Sequence, residues 1–229
     1  MLERPYTILS CGVSIDGYLD AATPERLMLS NEDDLRRVDA VRAEADAILV
    51  GAETVRHDNP RLLVRDEQLR ECRRARGLSE QPMKITVTRG GRLDPAAHFF
   101  TTGDCEKVVY CHNGAVAEAR ARLGAVAAVV DAGDGVEMFD LAHDLWRRGV
   151  RRLMVEGGGQ IHTQFLTAGL ADELHLVVAP FFVGDPRAHR FVGAGAFPWH
   201  AGHRARLAET RQMGDVVLLR YAFTGAEAS

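Results

Sequence analysis

A glutamate followed by three glycines could bind a phosphorylated ligand in this 229-residue chain. Glu156, Gly157, Gly158 and Gly159 follow an apolar run typical of a buried strand, and a helical pattern begins directly after them. Because glycine has no Cβ and adopts positive φ, the main chain can approach a phosphate closely, and a helix start offers unpaired N–H donors. The stretch predicts a cradle for the pyrophosphate of a nucleotide cofactor. A tight turn without a ligand is the alternative.

Two arginines could bind further anionic groups. Arg42 lies on the same helical stripe as Leu35, and a cation on an inward face is costly unless it meets an anion. A structural salt bridge and a contact with a bound phosphate are equally open for Arg42. Arg89 follows an apolar strand pattern at 84–88 in a basic, glycine-containing turn, which suits the 2′-phosphate of NADP. A plain polar hairpin turn is the other interpretation.

The elements that position these residues alternate between strand and helix patterns along the chain. This alternation predicts an α/β fold with a mostly parallel sheet covered on both faces. A capping pattern at Ser30 and Asp33 predicts the start of a helix that ends near Glu44. Residues 173–183 read as one long strand, and residues 206–223 as a closing antiparallel hairpin that makes the sheet mixed.

The charge-rich segment from Asp66 to Gln81 predicts a solvated excursion whose arginines have no particular role. This segment is dense in charges of both signs.

Composition excludes several classes of function. The chain is 46% hydrophobic and 26% charged with a net charge of −4, so it has no broad basic surface for nucleic acid. No apolar stretch approaches membrane-spanning length, and the N-terminus lacks a secretory pattern. Four scattered cysteines suit free thiols in a reducing cytoplasm, and no metal-ligand spacing is found. We expect a single domain over residues 1–229 with a frayed tail from 224 to 229.

Five ordered blocks resemble the riboflavin-pathway pyrimidine reductases, which also form the reductase half of the bifunctional deaminase–reductase. They are SIDG at 14–17, VRAEADAILVGAETV at 41–55, DNPRLLVR at 58–65, and LMVEGGGQ at 153–160 with LADELHLVVAP at 170–180. The resemblance runs over nearly the whole chain. It implies a dihydrofolate-reductase-like, three-layer fold with a central mixed sheet flanked by helices, no deaminase domain, NADPH as cofactor, and a homodimer that covers residues 173–183.

The resemblance also implies roles for individual residues. Asp58 and Glu156 are the implied catalytic residues, with Glu156 holding the pyrimidine edge and Asp58 orienting the reacting centre. The implied cofactor-binding residues are Thr54, Asp58, Thr88, Arg89, Gly157, Gly158, Gly159 and Gln160. The implied substrate-binding residues are Arg42, Leu62, Arg65 and Glu156, which favours phosphate binding by Arg42. No metal is implied.

The implied reaction reduces a ribosylaminopyrimidine 5′-phosphate to its ribitylamino form by hydride transfer to C1′ of the sugar, as in a 5-amino-6-(5-phosphoribosylamino)uracil reductase. One departure from the family is Tyr18, where lysine commonly follows the SxDG block; Arg26, Arg61 or Arg65 could supply the missing cation. The alternatives are a paralogue that reduces another heterocycle, an imine or dihydrofolate, and a non-catalytic nucleotide-binding protein.

Overall fold

The computed structural model describes residues 3–23 and 27–223, and strands alternate with helices through most of that range. The strands are β1 (Tyr6–Ser14), β2 (Ala47–Gly51), β3 (Met83–Thr88), β4 (Lys107–Cys111), β5 (Ala128–Asp131), β6 (Arg152–Gly157), β7 (Glu173–Ala179), β8 (Arg206–Met213) and β9 (Val216–Ala222). The helices are α1 (Glu32–Glu44), α2 (Ala52–Asp58), α3 (Glu67–Ala75), α4 (His98–Thr101), α5 (Val116–Leu123), α6 (Met138–Arg147) and α7 (Gly159–Thr167).

The strands form a mixed, mostly parallel sheet in the order β5-β4-β3-β2-β6-β1-β7-β9-β8. Neighbours β2–β3, β3–β4, β4–β5 and β1–β7 run parallel, whereas β7–β9 and β8–β9 run antiparallel. The predicted α/β class with a central mixed sheet and a C-terminal antiparallel hairpin is confirmed.

The chain divides into two compact units, and the division falls within β6 between Met154 and Val155. The first unit comprises residues 1–5 and 37–154. Its strand β2 is fully apolar and all five of its residues are buried, because a parallel strand covered on both faces has no polar side to expose. Ile48 and Val50 pack with Phe99 and Leu123 in one hydrophobic cluster.

The second unit comprises residues 6–36 and 155–229. Its core includes Val177 on β7 and Leu218 on β9, and the β8–β9 hairpin closes through a turn in which Gly214 has φ +59°. The tail predicted to fray, 224–229, lies outside the described residues. The prediction of one domain over 1–229 stays a prediction.

The long strand predicted for residues 173–183 is wrong in its second half. β7 ends at Ala179, and the next residue is Pro180, which has no N–H to donate to a neighbouring strand. Phe181 N–H then donates back to the carbonyl of Ala179 over 2.9 Å, so the chain turns there.

The predicted cap of α1 is also displaced by one residue. Asn31 Oδ1, and not Ser30, accepts from the N–H of Asp34, over 3.1 Å. The Asn31 amide nitrogen donates to Asp215 Oδ1 and to the Met213 carbonyl, so the hairpin turn orients the capping side chain. Sequence reasoning could not foresee this choice, because Met213 is 182 residues away.

The solvated excursion predicted for residues 66–81 contains a buried arginine. Residues Glu67–Ala75 form α3, and the side chain of Arg73 is only 2% exposed. Its guanidinium donates to the carbonyls of Ala43, Ala45 and Ser79 over 2.6–2.9 Å. Arg73 therefore satisfies two main-chain acceptors at the C-terminal end of α1, Ala43 and Ala45, and a third at Ser79. The prediction that every arginine in this segment is inert was wrong.

Candidate active site

The glycine stretch forms the strand–turn–helix junction that the sequence predicts. Strand β6 carries Leu153, Met154 and Val155 with no exposed surface and delivers Glu156, half-buried, to its end. Gly157 has φ +120°, which side-chain-bearing residues rarely adopt, and the Gly157–Gly158 peptide is cis. Helix α7 begins immediately after Gly158, so its first N–H groups are offered at this turn.

Packing within the protein is one reason why glycine is required at this turn. A Cβ on Gly159 would overlap the carbonyl oxygen of Arg190, well inside van der Waals contact, and would touch the carbonyl oxygen of Phe191 at an ordinary contact distance. The sequence analysis explained the glycines by the close approach of a phosphate. At Gly159 the structure supplies another reason, which is close packing against the main chain at 190–191.

A buried histidine, which sequence analysis missed, lies beside the turn. His162, in the first turns of α7, is 1% exposed, and neither ring nitrogen has a hydrogen-bond partner among the described residues. Its ring carbon Cε1 lies 3.5 Å from the position of a Cβ on Gly157. Burial lowers the pKa of His162 to about 4, although nearby backbone at Val155 and Phe191 and the charge of Glu156 act in the opposite direction. The imidazole is therefore neutral at pH 7.

The predicted cofactor residues of the first unit lie on α2 and at the end of β3. Thr54 is half-buried in α2, and Asp58 is the exposed last residue of that helix. Asn59, which follows in the left-handed conformation (φ +42°), accepts from the N–H of His98 over 2.7 Å. A cavity of about 230 Å³ opens beside this helix end, lined by Val55, Arg56, Asn59, Leu93, Asp94, Ala96 and Ala97.

Strand β3 ends at the predicted ribose-phosphate residues. Thr88 is 4% exposed and is the last residue of the strand, whereas Arg89 is exposed in the turn that follows. Register pairs Gly51, at the end of β2, with Val87. The carboxyl ends of these parallel strands therefore meet at one edge, where α/β folds bind ligands.

The predicted substrate arginines of the first unit are brought together by one loop. Arg42 is 9% exposed, and its Nη1 donates to the carbonyl of Leu63 over 3.0 Å. Leu62 is buried with φ +48°. Arg65 has an exposed side chain, while its N–H donates to both carboxylate oxygens of Asp39 over 2.8 and 3.0 Å. Leu62 and Arg65 thus lie on a loop that is bonded to Arg42 and Asp39 of α1.

Asp39 was not singled out by sequence analysis, yet it positions this loop. It is 7% exposed on α1 and also accepts from the N–H of Asp66, over 2.8 Å. Its place on the inward stripe, three residues before Arg42, was the available signal, since a buried carboxylate requires partners. The partners are main-chain donors rather than arginines.

Tyr18, the departure from the family pattern, contacts an arginine that the sequence did not suggest. Tyr18 is 6% exposed, and its hydroxyl accepts from Arg190 Nη2 over 3.0 Å. The Arg190 guanidinium carbon lies 4.4 Å from the centroid of the Tyr18 ring. The sequence analysis suggested Arg26, Arg61 or Arg65 as the cation that replaces the family's lysine. Arg26 lies outside the described residues. The cation beside Tyr18 is Arg190.

Three further observations concern the described residues only. No helix there is long and apolar enough to cross a membrane. No three His, Cys, Asp or Glu side chains in that part of the chain are grouped so that they could hold a metal ion. All four cysteines are free.

Comparison with known proteins gives consistent matches over most of the chain. The model of the RibD C-terminal domain matches residues 5–219. A 2,5-diamino-6-ribosylamino-4(3H)-pyrimidinone 5′-phosphate reductase from Archaeoglobus fulgidus is 37% identical over 79% of this chain and 83% of its own length. A protein of the same name from Methanothermobacter thermautotrophicus is 34% identical over 97% of this chain and its full length.

Solved structures share the fold. A pyrimidine reductase-like protein from Corynebacterium diphtheriae superposes with a TM-score of 0.81 at 22% identity, covering 95% of this chain and 91% of that one. RibD of Acinetobacter baumannii gives a TM-score of 0.78 at 23% identity, covering 96% of this chain and 58% of its own. At these identities the likeness concerns the fold alone.

Proposed function

Because this chain belongs to the family of the RibD C-terminal domain, we propose that it is an NADPH-dependent reductase of riboflavin biosynthesis. Its proposed substrate is 2,5-diamino-6-ribosylamino-4(3H)-pyrimidinone 5′-phosphate, which it reduces to the ribitylamino compound. The observation that carries the proposal is that three relatives with this name are 33–37% identical over 79–97% of the chain. The corresponding uracil compound is the second candidate, since relatives named riboflavin biosynthesis protein RibD are also similar, at 25–28% identity.

The glycine junction supports binding of a dinucleotide. Gly158 has no side chain with which to cap α7, so the first N–H groups of that helix can donate to a diphosphate. We propose Gly157, Gly158, Gly159 and Gln160 for this role. Gln160 is exposed in the first turn, as such a contact requires.

The adenosine part of the cofactor is proposed to bind residues of the first unit. Thr88 and Arg89 would contact the ribose and its 2′-phosphate, and Thr54 and Asp58 would contact the cofactor beside α2. The cavity next to Asn59 supports a ligand at this helix end. The exposed guanidinium of Arg89 supports phosphate recognition.

Bound NADPH supplies a hydride from its nicotinamide, which we propose is accepted by C1′ of the ring-opened sugar. The protein then needs chiefly to align the two carbons and exclude water. Glu156 is proposed to accept hydrogen bonds from the pyrimidine edge, Asp58 to orient the reacting centre, and Leu62 to pack against the substrate. Arg42 and Arg65 are proposed to bind the 5′-phosphate, supported by the loop that holds them both.

The direct test is oxidation of NADPH by the purified protein, followed at 340 nm. We expect turnover with the diaminopyrimidinone phosphate, slower turnover with the uracil phosphate and none with dihydrofolate. Binding of NADPH without turnover of any of these compounds would favour a non-catalytic nucleotide-binding protein and contradict the proposal.

Replacement of Arg89 by alanine is expected to change cofactor selectivity. A charge-assisted hydrogen bond contributes about 1.5–3 kcal/mol, so NADPH affinity should fall roughly 10- to 100-fold while NADH affinity is retained. Fluorescence titration with each cofactor measures both constants. Arg92→Ala, which removes an exposed arginine from the same turn, is the control. If the affinities for NADPH and NADH fall equally, Arg89 does not contact the 2′-phosphate.

Replacement of Arg65 by alanine is expected to raise the KM for the pyrimidine phosphate about 10-fold, with NADPH affinity unchanged. The main-chain bonds of Arg65 to Asp39 remain in the variant, so the loop should keep its shape. Steady-state kinetics with a titrated substrate give KM, and Arg76→Ala, which removes another exposed arginine, is the matched control. An unchanged KM would exclude Arg65 from substrate binding.

We also propose that the chain works as a homodimer in the cytoplasm. Phe182 is 70% exposed and Ile15 is 50% exposed, and the N–H of Ile15 donates to the carbonyl of Phe181 over 2.8 Å, so the two side chains belong to neighbouring segments. An apolar surface of this kind supports a subunit contact between two copies of the chain. Analytical ultracentrifugation tests the homodimer, and a sedimentation coefficient of a monomer at micromolar protein concentration would contradict it.

The four free cysteines support a reducing compartment such as the cytoplasm.

A further inference from the structure

Arg190 is an exposed arginine whose side chain is nevertheless held in one place. Its guanidinium lies over the ring of Tyr18, with 4.4 Å between the guanidinium carbon and the ring centroid. Nη2 donates to the Tyr18 hydroxyl and Nη1 to the carbonyl of Asp16, each over 3.0 Å. The main chain is held as well, because Tyr18 and Arg190 form an antiparallel bridge.

The bridge is extended by bonds on both sides of Arg190. Leu19 N–H donates to the carbonyl of His189 over 2.7 Å, and Phe191 N–H donates to the carbonyl of Gly17 over 3.3 Å. The segments 17–19 and 189–191 therefore form one ladder. A long side chain anchored on such a ladder has already lost much of its rotamer freedom, which lowers the entropic cost of binding a ligand.

No carboxylate lies within ion-pair distance of Arg190 in the described part of the chain, although three acidic residues are close in sequence or space. Asp20 binds His189 Nδ1 over 2.6 Å, and Asp185 binds Arg187 over 2.7 Å. The Asp16 carboxylate accepts hydrogen bonds from the Ser14 hydroxyl and from the N–H groups of Val183 and Gly184, which lower the pKa of Asp16 to about 2. These three acids are committed elsewhere, and no carboxylate among the described residues compensates the charge of Arg190.

The main chain of Arg190 also packs on the glycine turn. Its carbonyl oxygen occupies the space in which a Cβ of Gly159 would lie, at the first residue of α7. A few residues on, Gly193 N–H donates to Thr163 Oγ1 of the same helix over 2.8 Å. The main chain of Arg190 is thus fixed against the helix start, whose N–H groups attract anions.

We propose that Arg190 is a phosphate-binding residue, whose guanidinium is presented by Tyr18 and whose main chain is anchored at Gly159. Two of its five N–H groups are used by Tyr18 and Asp16, and the remaining donors are available to the oxygens of a phosphate. This inference rests on the proposed function for the source of the ligand, which is either the diphosphate of the dinucleotide or the phosphate monoester of the substrate.

The test compares Arg190→Gln, which removes the charge, with Arg190→Lys, which keeps the charge and loses the planar fork. Arg187→Gln is the matched control, because Arg187 is exposed in the same segment and already paired with Asp185. Three quantities are measured for each variant: the Kd for NADPH, the KM for the pyrimidine phosphate, and the Kd for inorganic pyrophosphate by calorimetry. Circular dichroism and Tm establish that each variant is folded.

We expect Arg190→Gln to weaken phosphate binding about 10-fold or more, Arg190→Lys to recover part of the loss, and Arg187→Gln to match the wild type. A rise in the Kd for NADPH alone identifies the dinucleotide diphosphate as the ligand, and a rise in KM alone identifies the substrate phosphate. If all three quantities are unchanged in a folded Arg190→Gln or Arg190→Lys protein, the inference is overturned.

Pyrophosphate binding separates this inference from the proposed function. If the wild type neither binds NADPH nor turns over any pyrimidine but binds pyrophosphate through Arg190, the proposed function fails and the anion site stands. If NADPH and substrate are bound and reduced equally well without Arg190, the proposed function stands and the anion site fails.

Discussion

Gly159→Ala is expected to weaken NADPH binding by at least about 10-fold and to lower the free energy of unfolding by about 1–3 kcal/mol, the usual cost of overpacking. The added methyl group would overlap the carbonyl oxygen of Arg190. That carbonyl cannot move away freely, because the segment 189–191 is bonded to Gly17 and Leu19. The start of α7 has to shift instead, and the N–H groups proposed to bind the diphosphate shift with it.

Gly193→Ala is the matched control for this prediction. A Cβ on Gly193 would lie 3.7 Å from Thr163 Oγ1, an ordinary van der Waals contact, so this variant should keep both its stability and its NADPH affinity. Urea denaturation and fluorescence titration measure the two quantities in each protein. Full NADPH affinity in the Gly159→Ala protein would show that the geometry of this turn is irrelevant to the cofactor.

The second large effect is a dependence of stability on pH that comes from His162. The pKa of this buried imidazole falls from 6.5 to about 4 on folding. Between these values the unfolded chain binds a proton that the folded protein does not, so the free energy of unfolding decreases as the pH falls from 6.5 to 4. The full difference is about 3 kcal/mol, at roughly 1.4 kcal/mol for each pH unit. Below pH 4 the folded protein is protonated too, and this contribution stops changing.

His162→Gln should remove this part of the pH dependence, because glutamine does not titrate. Urea denaturation of both proteins at intervals from pH 7 to pH 4.5 gives the difference in slope, and carboxylates common to both cancel in that difference. His143→Gln, at an exposed position on α6, is the control and should follow the wild type. Parallel curves for wild type and His162→Gln would show that His162 is charged or solvated in the folded protein.

The strands, helices and turns that carry a regular spacing of apolar residues could be predicted from the sequence. The buried strand before Glu156, the helix that starts at Gly159 and the closing hairpin all carry patterns of period 2 or 3.6, or turn residues such as Gly214. The candidate site residues came from the glycine junction and from ordered family blocks. Their roles toward NADPH and the pyrimidine phosphate stay predictions that the experiments above test.

The sequence by itself determined the alternation of strand and helix, the mixed sheet and the position of the glycine turn, because these depend on side chains a few residues apart. The tertiary structure alone decided which groups surround that turn. Arg190 meets Tyr18 across 172 residues, and the main chain of Arg190 fills the space at Gly159. Such contacts depend on how loops return to the core, which no local pattern of residue types records.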